Sequence, residues 1–532
     1  MPFLAETHVP ISNKDILSWI FEHEEEDADR PIYVDGIKPE RSISRKQALI
    51  IIRKLAAGFY AAGIYYSILV FGIVATGAIF TGTDLAYTKI ELAHHFKTAG
   101  VRFIITQADT LSTVLEASKD LPLAKSSVWI FGSSNPRLTP YGFPLWSALF
   151  KHGERDWYRF ENEEQCRTTT AAYLFSSGTT GLSKAAVVSH QNLIAQYTLV
   201  SEAHRAPYKI FSLVYLPTFH AAAFPTAHIR PLRSCVTSCV IPRLEIDVFL
   251  KTIDTYQITD VILVPPVVVA ILKHSGIKKS SLQSLRFVLV GAAPLGKNNQ
   301  AALQKMLSSQ ATVTQVWGMT EATCIATTFR YPEKDETGSV GRMLPNLVSK
   351  IINEDGEEIT AYDKMGEVCI RGPTIISRYL NNPTATAESF DHEGYYKTGD
   401  IMYCSSRDRK WYVVDRRKEL IKVRGFRVAP AEIEDILLTH PSVADAAVIG
   451  APSTIAPGDE LPRAYIVRNQ KGANLTEKNV VDYCKERLAK YKNLTGGVVF
   501  LKSLPRNATG KLLKRDLRAM VKLEASSHSA KL

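Results

Sequence analysis

The chain has 532 residues, a net charge of +11 at pH 7, 45% hydrophobic and 22% charged residues. That length exceeds what one hydrophobic core holds, so two or more domains are expected, and the balance of residue types is that of an ordinary globular protein rather than a fibre or a disordered tail. The basic residues form no stripe with interleaved aromatics, which sets nucleic acid aside while leaving room for polyanionic small molecules such as ATP or coenzyme A.

Taken in chain order, the opening MPFLAETHVPIS lacks a basic region followed by a long apolar core, and no signal peptide is expected. Leu55 to Thr83 carry no charge, and Ile64 to Phe80 are strongly apolar, a length that could span a bilayer. Gly58, Gly63, Gly72 and Gly77, with Ser67 and Thr76 among them and no basic flank, favour a buried helix–strand region instead; no stable membrane span is expected. Short runs rich in β-branched residues then alternate with helix-length stretches: VRFIIT (101–106), SLVYLP (212–217), DVILVPP (260–266) and RFVLVG (286–291), with helices expected over 244–257 and 297–309. The alternation predicts an α/β fold of layered sheets and helices. A seam dense in Lys and Arg at 399–425 divides a large N-terminal domain, 1–415, from a small α/β unit, 416–532, in which Pro430 opens a helix and a second helix covers 477–490. The seven cysteines (166, 235, 239, 324, 369, 404, 484) show no CxxC or histidine spacing for zinc and read as reduced thiols.

Five motifs carry chemistry. YLFSSGTTGLSK (173–184) ends an apolar run in Ser176, Ser177, Thr179 and Thr180, with Gly178 and Gly181 exposing backbone N–H groups and Lys184 adding a cation. Dense donors, bare backbone and one positive charge suit a polyphosphate, although the spacing is not that of a P-loop. LPTFHAAA (216–223) places His220 after a strand and before small residues. In QVWGMTEA (315–322), Glu321 is of the kind that ligates magnesium carried by ATP, and Trp317 of the kind that flanks a base. YYKTGD (395–400) sets Asp400 after a glycine turn, where a carboxylate suits the two hydroxyls of a ribose. PRNATGKLLKRDL (505–517) offers Lys511 as a point charge on the small domain. Read singly, the first four have plainer readings: a surface loop, a core histidine, a helix-capping acid, a turn aspartate.

In this order, with DRRKELIKVRGFRVAPAEIE (415–434) between the last two, the motifs resemble the adenylate-forming superfamily of acyl-CoA ligases, nearest the 4-coumarate-CoA ligase and fungal acyl-CoA ligase group, from about residue 77 to Lys511. The resemblance implies a mobile small domain and two steps: adenylation of a carboxylic acid by Mg·ATP, then transfer of the acyl group to coenzyme A. It implies that Ser176 to Lys184 wrap the β- and γ-phosphates, that Thr320 touches the α-phosphate, Glu321 the magnesium, and Asp400 with Arg416 the ribose. Gln315, Lys418 at the hinge and Lys422 join the nucleotide set, and Lys511 bridges phosphate and attacking carboxylate. His220, Ala222, Ala292 and Val316 line the acyl pocket; Arg243, Arg424 and Gly425 serve coenzyme A. Ser183 and Ala185 stand where relatives carry Pro and Gly, Val316 where many have Gly, Trp317 where they have Tyr, and Arg427 where Gln is common. Ala222 and Val316 argue against a simple coumarate slot and leave a fatty, branched or polyketide-derived acid of secondary metabolism open. The peptide-synthetase adenylation domain shares the loop but usually has an Asp near the His220 segment; TFHAAAF has none. A luciferase-like oxygenase or an inactive scaffold remain as other classes. Residues 62–67 run on as if a turn and strand usual in relatives were missing, and Ala530-Lys531-Leu532 is a variant of the Ser-Lys-Leu address read by the peroxisomal import receptor.

Overall fold

The computed structural model describes residues 3–23, 27–57, 66–84, 87–131, 142–176, 183–274, 276–277, 279–423, 426–453, 459–469, 472–506 and 511–529. Near the start, Pro31–Asp35 (β1) and Ser42–Ser44 (β2) pair antiparallel, and Arg45–Ala57 (α1) follows at once. Tyr66–Ala75 (α2) packs on α1 and buries all but two of its residues. A helix apolar on every side belongs inside a core, and Ile68, Val70 and Phe71 are fully enclosed there. Among the described residues no helix is long and apolar enough to cross a membrane. The expected shortening at 62–67 falls mostly on residues 58–65, which lie outside the described set.

Thr170–Ser176 (β3) and Lys184–Ser189 (β4) form an antiparallel hairpin with Ser176 opposite Lys184. Phe211–Val214 (β5), Thr237–Val240 (β6), Asp260–Leu263 (β7), Phe287–Val290 (β8) and Thr312–Gln315 (β9) join β1 and β2 in a seven-stranded sheet of order β9-β8-β7-β5-β6-β1-β2, parallel except at the β2 edge. Such strands read as short continuous apolar runs because helices cover their faces; Ile246–Tyr256 and Lys297–Met306 do so here. Parallel strands bring their C-terminal ends to one edge, the usual place for a ligand crevice. To that edge β5 delivers Pro217–His220, β8 delivers Gly291–Ala292, and β9 delivers Val316–Trp317.

A second, antiparallel sheet contains Tyr396–Cys404 (β10) and Trp411–Arg416 (β11), which put Asp400 opposite Arg416. Beyond β11 the chain builds a small unit of its own. The hairpin Ile421–Val423/Phe426–Val428, the helix Pro430–Leu438 (α3) and a sheet of Val443–Pro452, Glu460–Arg468 and Val498–Leu501 enclose a core around Ile433, Val448 and Ile466. The helix expected over 477–490 is shorter, Glu477–Lys485. The small unit rests on the large one. Lys273 Nζ donates to the carbonyls of Val443 (2.8 Å) and Ala444 (3.2 Å), and a Cβ on Gly296 would stand 2.5 Å from Asp435 Oδ1.

Candidate functional site

His220 opens the helical segment after β5 and caps it, its Nδ1 accepting from the Ala222 N–H at 3.2 Å. Burial first, and then the positive charge of Lys511, pushes His220 down to about 4, so the ring is neutral near pH 7. Lys511, the first residue described after 506, thus reaches from the small unit to the C-terminal edge of the parallel sheet. Burial and the Arg416 guanidinium lower its pKa, against the opposing pull of Glu419, Asp400 and Glu321. One lysine therefore feels the fields of groups from the parallel sheet's edge, β10, β11 and the turn beyond.

Around it two polar chains meet. Trp317 Nε1 donates to Asp400 Oδ2 at 2.8 Å, and Arg416 Nε holds Asp400 Oδ1 at 3.1 Å. Asp400 is 4% exposed, and both of its carboxylate oxygens have a partner. Each carboxylate oxygen still has a lone pair for a diol. In the other chain, Tyr379 OH donates to Glu321 Oε1 at 2.8 Å and meets Tyr396 OH at 2.9 Å. Lys184 Nζ lies 5.2 Å over the Tyr379 ring, at the base of the hydroxyl-rich loop. The turn carrying Thr320 and Glu321 is held by close backbone contact: a Cβ on Gly318 would sit 1.8 Å from the Cys324 carbonyl oxygen, and the Ile376 N–H donates to the Glu321 carbonyl at 3.0 Å.

Ser176, Lys184, His220, Thr320, Glu321, Asp400, Arg416 and Lys511 are thus drawn toward one edge of the fold. Ser177, Gly178, Thr179, Thr180 and Gly181 lie outside the described residues, as do Arg424 and Gly425. Val316 follows β9 and faces Gly291, whose added Cβ would come within 3.0 Å of Val316 Cγ2. Ala292 stands at φ +70° on the turn after β8, strained backbone of the kind found beside ligands. Ala222 is half-buried behind His220.

Gln315 is tied into the fold around it. It is 3% exposed, and its side chain accepts from the Leu295 N–H and donates to the Leu295 carbonyl and to Gln300 Oε1, all within 2.9 Å. Trp317 is 6% exposed and steadies Asp400 through its indole N–H. Lys422 is exposed, with only its backbone N–H tied to Glu460. Lys418 is also exposed, and its carbonyl accepts from Arg518 at 3.4 Å. Arg243 stands exposed on the loop after β6. Sequence reasoning missed Tyr379 and Tyr396. The second lies inside YYKTGD, and its being an aromatic four residues before Asp400 on an alternating strand was the available signal.

A buried acid–arginine pair, a tyrosine-held glutamate and a lysine from the small unit thus converge beside the parallel sheet's C-terminal edge. The chain matches the family described as AMP-binding enzyme over residues 20–380 and the AMP-binding enzyme C-terminal domain over 432–511. It is 47% identical to the acyl-CoA ligase azaF of Aspergillus niger, over 97% of this chain and 100% of the relative. Identity is also 47% to the phenylacetyl-CoA ligase epaB of Aspergillus niger (97% and 98%), and 35% to 4-coumarate–CoA ligase 3 of Arabidopsis thaliana (81% and 76%). In fold it is similar to the anthranilate CoA ligase AuaEII in complex with anthranoyl-AMP, with TM-score 0.85, 20% identity and coverage of 97% and 99%. ATP-bound MatB from Rhodopseudomonas palustris gives TM-score 0.82 at 23% identity, with 96% and 99% coverage. The chain belongs to the AMP-binding enzyme family, and its class is that of the AMP-forming acid–thiol ligases.

Proposed function

We propose that a carboxylate attacks the α-phosphate of ATP in this site, forming an acyl-adenylate with release of pyrophosphate, and that the thiol of coenzyme A then displaces AMP to give the acyl-CoA. The observation that carries this reading is the position of Lys511, close enough to Arg416, Asp400, Glu321 and His220 to feel each of them. Two anions repel as they approach, and a cation fixed between them offsets the charge that builds up in the transition state. Asp400 and Arg416 are assigned the ribose, Ser176 to Lys184 the phosphates, and Thr320 the α-phosphate. Glu321 is assigned the magnesium that travels with ATP. One carboxylate plus substrate phosphates is the usual way that ion is held, and Glu321, fixed through one oxygen by Tyr379, fits that part. A neutral His220 closes the acyl pocket without placing a second positive charge beside Lys511.

The test is ATP–pyrophosphate exchange across a panel of carboxylic acids, followed by thioester formation on adding coenzyme A. Acid-dependent exchange and coenzyme A-dependent AMP release are expected; exchange without any thioester would remove the second step. We also propose a peroxisomal address at Ala530-Lys531-Leu532, which lies outside the described residues. A fluorescent fusion leaving these residues free should co-localise with peroxisomes and become diffuse when they are deleted.

A further inference from the structure

Behind His220 the parallel sheet and the segment 222–230 leave an open cleft, lined at one end by Leu216 and Ala222 and at the other by Ser212, Asp260 and Arg230. Its floor is one face of β5, β7 and β8. The register sets Ser212, Asp260 and Phe287 side by side across the N-terminal ends of these strands. Its roof is made of small residues, Ala222, Ala223, Thr226 and Ala227, which keep the space open. From Ala222 to Arg230 the roof runs roughly 12 Å if measured as a helix. The near end starts two residues from His220, where the reacting carboxylate is assigned; the far end is polar.

That far end is built from the buried Ser212 and Asp260 and the half-buried Arg230, Tyr208 and Thr259. Arg230 Nη1 lies 3.5 Å from Asp260 Oδ2, and Tyr208 OH (3.1 Å) and Thr259 OH (3.0 Å) donate to Asp260 Oδ1. Ser212 is 4% exposed. Among the described residues neither its hydroxyl nor Arg230 Nε has a hydrogen-bond partner. A buried donor left unmade is unfavourable, and each such group calls for an explanation. A hydrocarbon tail filling the cleft would leave both unsatisfied. A second carboxylate would satisfy them but would face Asp260, which already balances the charge of Arg230. A neutral oxygen accepts from Arg230 Nε and pairs with the Ser212 hydroxyl at no electrostatic penalty.

We propose that the acid activated by this enzyme is a medium-length chain bearing a neutral oxygen, as hydroxyl or ketone, near the end remote from its carboxylate, and that Ser212 and Arg230 select for it. This rests on the acyl-ligase reading and specifies its substrate class. The experiment compares kcat/KM of the full-length enzyme, with ATP, magnesium and coenzyme A, for octanoate, ω-hydroxyoctanoate, the oxo acid with its ketone beside the terminal methyl, and octanedioate. One of the two neutral oxygenated acids should exceed octanoate by at least about tenfold, since a site built around hydrogen bonds rejects the analogue lacking them. Ser212→Ala and Arg230→Met should shrink that ratio, chiefly by raising KM for the oxygenated acid. Should Arg230→Met not fold, Ser212→Ala decides alone. Octanoate used equally well, octanedioate preferred, or a ratio unmoved by Ser212→Ala would each overturn the assignment. Exchange with other acids while all four are ignored overturns it too and leaves the ligase reading intact; no exchange with any acid overturns both.

Discussion

Lys511 works under opposed influences: burial and Arg416 disfavour its charge, while Glu419, Asp400 and Glu321 favour it. Such a lysine is poised to gain most when an additional anion arrives. Lys511→Ala should lower ATP–pyrophosphate exchange on the order of 10²–10³-fold, the scale of losing one preorganised charge donor. Thioester formation from supplied acyl-adenylate should stay within a few fold, because the phosphate–carboxylate encounter is already past. Equal loss in both half-reactions would count against its assigned role. Asp415 makes a separate prediction. It is 7% exposed; burial first, with Glu419 and Glu434 adding and Lys514 opposing, pushes it up to about 6. The folded state therefore binds a proton more readily than the unfolded state. The stability tied to this group is fully present below about pH 4 and is lost as pH rises through about 6, a change of about 3 kcal/mol for a two-unit shift. Asp415→Asn removes that slope, so the variant's Tm relative to the parent should rise between about pH 4 and pH 7. A Tm difference flat over that window would show that Asp415 does not carry the effect.

At the scale of elements, the turn between Trp317–Met319 and Cys324–Thr328 sets the site most tightly. Gly318 admits no side chain, since its Cβ would lie 1.8 Å from the Cys324 carbonyl oxygen, and Thr323 follows at φ +62°. Gly318→Ala should destabilise the fold by more than about 3 kcal/mol and abolish exchange, because backbone rather than a flexible side chain must give way; a denaturant midpoint and exchange assay check both. Elements of this kind were largely readable beforehand. The β5, β7 and β8 strands overlap the expected runs SLVYLP, DVILVPP and RFVLVG, because a strand covered by helices is rich in apolar residues. Helix ends were less readable. Ile246–Tyr256 stops where Gln257 takes a left-handed backbone at φ +50°, a residue type that gives little warning of it. Within the uncharged 55–83 stretch, Tyr66–Ala75 is an interior helix for the same reason the stretch resembled a membrane span: both environments withhold water.

Over the whole molecule, the small unit is held on the large one by polar contacts. Lys273 donates to two carbonyls of the small unit, and charged hydrogen bonds of this kind contribute about 1.5–3 kcal/mol. Lys273→Ala should weaken this orientation, cutting the adenylation rate roughly threefold to tenfold, with thioester formation from supplied acyl-adenylate unchanged or faster. Parallel loss of both would mean that Lys273 stabilises the fold and not one arrangement of it.

Fold class, the order of the five motifs and the lysine on a separate domain were determined by sequence alone, because strand-closing turns, glycine-bared backbone and short hydroxyl runs are encoded by contiguous residues. Which partners those residues meet was decided by tertiary structure. Trp317 reaches Asp400 across 83 positions, and Tyr379 reaches Glu321 across 58. Gln315 bonds to Leu295 and Gln300, 20 and 15 positions away. The polar end of the cleft behind His220 exists only because parallel register sets Ser212 beside Asp260, which Arg230 meets at 3.5 Å. Strand order and register bring together residues that no local pattern links, and in a low-dielectric interior that juxtaposition decides which polar groups are satisfied and which still await a ligand.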